Sequence, residues 1–213
     1  MFRSISGRYD RANTVLSAGI HHLWRRKAVE WSGVRPGDRV LDCATGTGLL
    51  AIAFHRAGAD VTGSDFVPEM LEIARRKTSA VKFETGDVTK LAHPDNSFDI
   101  ASIGFGIRNV DDPARAISEM ARVVRSGGRV IVLEFGQPQN RAFRALYDLY
   151  SSKVLPCLGG AVTGNRAAYE YLERSASSFP SAEAFVDLMQ RSGQFASVDY
   201  VRLPKMSAER LHR

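Results

Sequence analysis

The chain is poor in cysteine and has no long apolar run. Cys43 and Cys157 are the two cysteines among 213 residues, and both have apolar neighbours. They read as buried thiols packing as small hydrophobes, and a chain of this size needs no disulfide staple. No CxxC or Cys/His cluster points to a metal. No apolar stretch approaches the roughly 20 residues of a membrane span. The opening Met-Phe-Arg-Ser-Ile-Ser-Gly-Arg-Tyr-Asp lacks the apolar core and cleavage pattern of a signal peptide. A cytoplasmic location is expected, at most at the inner face of a membrane. There is no repeat, no low-complexity stretch and no basic run with interleaved aromatics, so a nucleic-acid partner is not expected.

What is present looks globular. Hydrophobic residues make up 44% and charged residues 24% of the chain, enough for one domain spanning 1–213. The net charge of +6 gives a basic surface suited to acidic ligands or anionic headgroups. Peripheral membrane contact and a homodimer are both compatible with this composition. Residues 1–34 hold a partly helical cap, closed by a turn at 33–38. Strands are then expected at 39–44, 60–65, 81–85, 98–105, 129–135 and 195–203. Helices are expected at 49–57, 67–77, 113–124 and 181–191. Strands alternating with helices predict an α/β doubly wound, mostly parallel sheet. Residues 137–180 break the rhythm with many aromatics and read as a lid over a substrate. The tail 204–213 is polar and has no evident place.

The strongest local motif is Val40-Leu41-Asp42-Cys43-Ala44-Thr45-Gly46-Thr47-Gly48, a buried strand entering glycines and then a helix. Glycines let a ligand approach the backbone, and the helix N-terminus offers unpaired N–H donors to a carboxylate. The same residues satisfy G-x-G-x-x-A, so a dinucleotide is also permitted. Asp65, followed by Phe66, ends the second strand, where a carboxylate can accept from both ribose hydroxyls; the alternative is a cap for the next helix. Gly86-Asp87 ends the third strand, with Val88 placed beside an adenine ring; the alternative is a plain turn. These residues fall at the carboxyl ends of successive strands, the ligand edge of an open α/β sheet. Arg125-Ser126-Gly127-Gly128-Arg129 resembles a loop common in small-molecule methyltransferases. The chain also lacks the second βαβαβ half that a nicotinamide needs. S-adenosylmethionine is therefore preferred to a dinucleotide.

Further motifs carry a family resemblance. The opening to Tyr9-Asp10, Asn13, Leu16-Ser17-Ala18-Gly19-Ile20-His21 and Trp24-Arg25 resemble the start of the UbiE/MenG family of quinone-biosynthesis C-methyltransferases. So do Phe105-Gly106-Ile107-Arg108-Asn109-Val110, Leu133-Glu134-Phe135 with Pro138, Tyr147-Asp148-Leu149-Tyr150-Ser151, and Ala168-Tyr169-Glu170-Tyr171-Leu172. The resemblance implies a Rossmann-like methyltransferase sheet of seven strands, S-adenosylmethionine as cofactor and methylation of a ring carbon of an isoprenoid quinol. Cofactor contacts would fall on Asp42, Ala44, Gly46, Thr47, Gly48, Asp65, Phe66, Asp87, Val88 and Gly104. Arg108 and Asn109 would lie on the substrate side. Arg108 would steady a developing phenolate, the alternative being an ion pair with Asp10, Glu134 or Asp148. His21 or Tyr9 would shuttle the proton, the alternative for His21 being helix packing.

Some residues depart from the family pattern. Leu49 stands where an acid is common. Gly104 stands where a serine is common, which removes one cofactor contact. Residues 207–213 keep only Leu-His-Arg of the usual closing strand, so a weak or partly ordered last strand is expected. These departures keep N- or O-methylation of another small or lipid substrate as an alternative, together with a cofactor-binding protein without turnover.

Overall fold

The computed structural model describes Thr14, residues 19–134 and 180–203, and the backbone of 206–212. The opening motif, Tyr9 and all of the expected lid at 137–180 except Pro180 lie outside the described residues.

Helix α1 is Ile20–Ser32, ended by Gly33 in the left-handed conformation. Then follow β1 Arg39–Cys43, α2 Leu49–Arg56, β2 Asp60–Asp65, α3 Pro68–Lys77, β3 Lys82–Thr85 and β4 Phe98–Gly104. A short 3-10 turn, Ile107–Asn109, precedes α4 Pro113–Val123 and β5 Val124–Glu134. The chain closes with α5 Ala182–Arg191, β6 Ser197–Leu203 and β7 Met206–His212. Local chemistry sets the helix starts. Pro68 and Pro113 stand in the first turns of α3 and α4, where the missing N–H costs nothing. Asp112 accepts from the Arg115 amide at 2.9 Å and Ser181 from the Ala184 amide at 3.3 Å, both N-caps.

The sheet has seven strands in the order β3-β2-β1-β4-β5-β7-β6. β1 to β5 are parallel, and β7 runs antiparallel between β5 and β6. The expected weak ending is instead a strand paired on both sides, from Glu134↔Ser207 to Arg129↔His212 on the β5 side. The loop expected at 125–129 is a bulge within β5, where the register slips between Phe98 and Ile100 of β4. A Cβ on Gly128 would lie 2.6 Å from the Asp99 carbonyl, so the slip requires glycine there.

Apolar side chains leave both faces of the sheet. Val40, Ile100, Ile131 and Leu133 pack with Trp24, Ala28, Phe54 and Leu71 of the first three helices. Leu41, Ala101, Ile103, Val130 and Val132 pack with Ile117, Met120, Phe185 and Met189 of α4 and α5. Parallel strands covered on both faces tend toward continuous apolar runs; β1 and β4 carry apolar residues to both faces, interrupted by Asp42, Asp99 and Ser102. Each fully buried side chain of this size stabilises the fold by roughly 1.5–3 kcal/mol. The chain turns back at β1, with β2 on one side and β4 on the other. The crevice beyond the carboxyl ends of these strands is where such sheets hold ligands.

Candidate active site

That crevice is a cavity of about 540 Å³, within the usual size range for a cofactor site. Its wall includes Asp42, Ala44, Gly46 and Thr47 from the end of β1, Asp65 and Phe66 from β2, and Asp87 and Val88 after β3. Gly104, Phe105, Gly106 and Asn109 complete it from β4 and the turn beyond. Backbone strain collects at the same place. Ala44 (φ 46°) and Phe105 (φ 60°) are left-handed without being glycine, a conformation that costs on the order of 1–3 kcal/mol each and clusters at functional sites. Both line the crevice, and a Cβ on Gly106 would stand 2.8 Å from that of Ala44.

Each cofactor-side residue has a definite environment. Gly46 has φ +57° with open space where its Cβ would be, so a side chain there would project into the cavity it lines. Gly48 has φ +78°, and its Cβ would meet Phe83 at 2.9 Å. Asp65 Oδ2 accepts from the Gly46 amide at 2.7 Å and Oδ1 from the Val67 amide at 2.8 Å. Asp65 therefore ties the glycine turn to the loop entering α3, whose N-cap is Val67 with no side-chain cap. A carboxylate has about four acceptor sites, and these two amides use two of them. Burial pushes the Asp65 carboxyl up from its ordinary value, against those two amides. Phe66 is 72% exposed at the rim, where it offers a flat apolar face. Asp87 Oδ1 accepts from the Thr89 amide (2.8 Å) and hydroxyl (2.7 Å), which together hold its carboxyl below the usual range. Lys77 Nζ donates to the Thr47 carbonyl at 2.8 Å and fixes the glycine turn from α3.

Asp42 is a wall residue held tightly by its neighbours. It is 1% exposed. Thr45 Oγ1 donates to its Oδ2 at 2.6 Å and Ser102 Oγ to its Oδ1 at 2.7 Å. Burial pushes its carboxyl up to about 6, opposed by these hydroxyls, Arg25 and the Ala51 amide. The N-terminal turn of α2, expected to receive a ligand carboxylate, thus already has the chain's own carboxylate beside it.

On the substrate side the structure separates the expected residues. Asn109 lines the cavity and donates from Nδ2 to the Phe105 carbonyl at 3.5 Å, a long bond. Arg108 turns inward and pairs with Glu134, the two side chains being 3% and 2% exposed. The ion-pair alternative is therefore what the described residues contain. His21 is 4% exposed on α1, between Thr14 and Arg25, and is not among the residues of the cavity wall. Leu49 lies on the wall, so the missing acid leaves an apolar surface. A Cβ on Gly104 would meet Leu50 Cδ2 at 2.9 Å; Leu50 occupies the room beside it. Arg25, Leu50, Met70 and Arg115 also line the cavity, without having been expected there. For Arg25 the only signal was its place in the Trp24-Arg25 motif.

A nucleoside edge of this kind, on a seven-stranded sheet with its last strand reversed, defines a methyltransferase that uses S-adenosylmethionine. The chain belongs to the ubiE/COQ5 methyltransferase family, whose family model matches residues 1–208. It is 54% identical over 210 residues to the "Ubiquinone/menaquinone biosynthesis C-methyltransferase UbiE" of Bdellovibrio bacteriovorus, covering 95% of this chain and 89% of that one. It is 46% identical over 199 residues to the "Demethylmenaquinone methyltransferase" of Thermus thermophilus, covering 91% and 90%. Among solved structures, a SAM-dependent methyltransferase of Thermotoga maritima shares the fold, with a TM-score of 0.71 at 23% identity over 99% of this chain and 97% of that one.

Proposed function

We propose that this chain methylates a ring carbon of an isoprenoid hydroquinone, either demethylmenaquinol or a ubiquinol precursor. The observation that carries the reading is one cavity with a built nucleoside half and an apolar half. Asp65, Phe66, Asp87 and Val88 line the first, and Leu49, Leu50, Phe105 and Val110 contribute to the second. A flat, greasy acceptor suits the second half, and relatives named for quinone biosynthesis support it.

Bound S-adenosylmethionine supplies a methyl group on a sulfonium, already a good leaving group. The chain's work is therefore alignment and exclusion of water. Asp65 accepts from the ribose, Phe66 and Val88 cover the base, and the strained ends of β1 and β4 fix the floor. Holding carbon, methyl and sulfur in line can offset roughly 7–11 kcal/mol of barrier. Asn109 is the side chain of its turn placed to hydrogen-bond an acceptor hydroxyl. Arg108 acts one step back, fixing that turn to β5 through Glu134.

Incubation with methyl-labelled S-adenosylmethionine and a short-tailed demethylmenaquinol tests this. Label is expected in the quinol, and Asp65→Ala should weaken cofactor binding strongly. Label appearing in an amine or phospholipid acceptor, with none in the quinol, would reject the acceptor assignment.

A further inference from the structure

We propose that Arg25 receives the carboxylate at the amino-acid end of the cofactor, and that His21 is the positioning residue that holds it there. The inference rests on the cofactor reading above and adds a residue to it. The cavity runs along the sheet edge from β3 to β4. Asp65 fixes the ribose near its middle, while Phe66 and Val88 suit the base on the β3 side. The amino-acid tail is then directed toward the ends of β1 and β4. Arg25 stands at that end. It lines the cavity, its Cζ lies 5.0 Å from the centre of the Phe105 ring, and its charge is felt by Asp42.

The usual alternative receptor for a carboxylate is the N-terminus of the helix after the glycine turn. Here the Gly46 amide goes to Asp65, the Gly48 amide to the Thr45 carbonyl and the Ala51 amide toward Asp42. A guanidinium beside those three engaged amides is a matching partner, and it can bind a carboxylate with two parallel bonds.

Arg25 is pre-positioned rather than loose. Its Nη1 donates to the His21 carbonyl at 3.1 Å and also contacts His21 Nδ1. An imidazole nitrogen that accepts from arginine must be unprotonated, so the other nitrogen carries the hydrogen. That nitrogen, Nε2, lies 3.1 Å from Thr14 Oγ1. His21 thus orients the guanidinium from one side, and the Phe105 face supports it from another.

The test compares two ligands by calorimetry on the intact chain. One is S-adenosylmethionine. The other is its decarboxylated form, which keeps nucleoside, sulfonium and ammonium and lacks only the carboxylate. Wild type should favour the first. In Arg25→Met that preference should shrink by roughly 10–100-fold, the weight of a charge-assisted contact, with the decarboxylated ligand bound as before. Arg25→Lys should retain part of the preference. His21→Ala should reduce it in the same direction, and His21→Gln should recover some of it. If Arg25→Met does not fold, Arg25→Gln takes its place. An unchanged preference in the variants, or equal weakening of both ligands, would overturn the proposal. Wild type binding neither ligand would instead overturn the cofactor reading on which it stands.

Discussion

The Arg108–Glu134 pair offers a sharp test, because stability and turnover respond differently to it. Both side chains are almost fully enclosed, at 3% and 2% exposure. Breaking such an enclosed pair by removing one partner typically costs about 3–5 kcal/mol. Total stability is only about 5–15 kcal/mol. For a chain of this length each kcal/mol shifts Tm by about 2–4 °C, so Arg108→Met or Glu134→Gln should lower Tm by roughly 6–20 °C. Replacing both, as Arg108→Met with Glu134→Leu, removes the remaining buried charge and should return most of that loss. Thermal and urea denaturation read these changes directly. A single substitution costing less than about 1 kcal/mol, as exposed pairs do, would refute the reasoning. The double variant then addresses function. Near-normal turnover would take Arg108 out of the chemistry. Lost turnover with cofactor affinity retained would return it to the acceptor side.

Asp42 should make cofactor binding depend on pH. Its carboxyl is pushed up to about 6 by burial, and its ionised form favours a ligand carrying sulfonium and ammonium. Affinity should rise as pH rises through about 6, by up to roughly tenfold for each unit that binding shifts the carboxyl. Calorimetry between pH 5 and 7 reads this, and the slope should flatten in Asp42→Asn; a flat wild-type profile would contradict it. The same group has the opposite effect on folding: a raised carboxyl holds its proton more tightly when folded, so its contribution to stability falls as pH climbs from about 4 to 6. Gly48→Ala should be costly in two ways. Left-handed backbone adds roughly 1–2 kcal/mol, and the new Cβ, 2.9 Å from Phe83 and 3.0 Å from Ala74, adds about 1–3 kcal/mol of overpacking. Urea denaturation measures the sum, and a loss below 1 kcal/mol would mean that the turn relaxes freely.

Sequence alone determined the parts that local chemistry governs. The alternation of apolar strands with amphipathic helices, the glycine turn after β1, and acids at the ends of β2 and β3 were all legible. Each depends on residues near one another in the chain. Tertiary structure decided what depends on distant partners. It placed β7 between β5 and β6, because the pairing there is made by backbone groups that any side-chain pattern can supply. It turned Arg108 from the acceptor toward Glu134, 26 residues away in the chain. It also moved Arg25 from an unassigned helix position to the wall of the cavity by packing α1 against the sheet. A charged side chain in a periodic helix reads as solvated surface until the fold shows which face is covered, and that depends on contacts the periodicity does not encode.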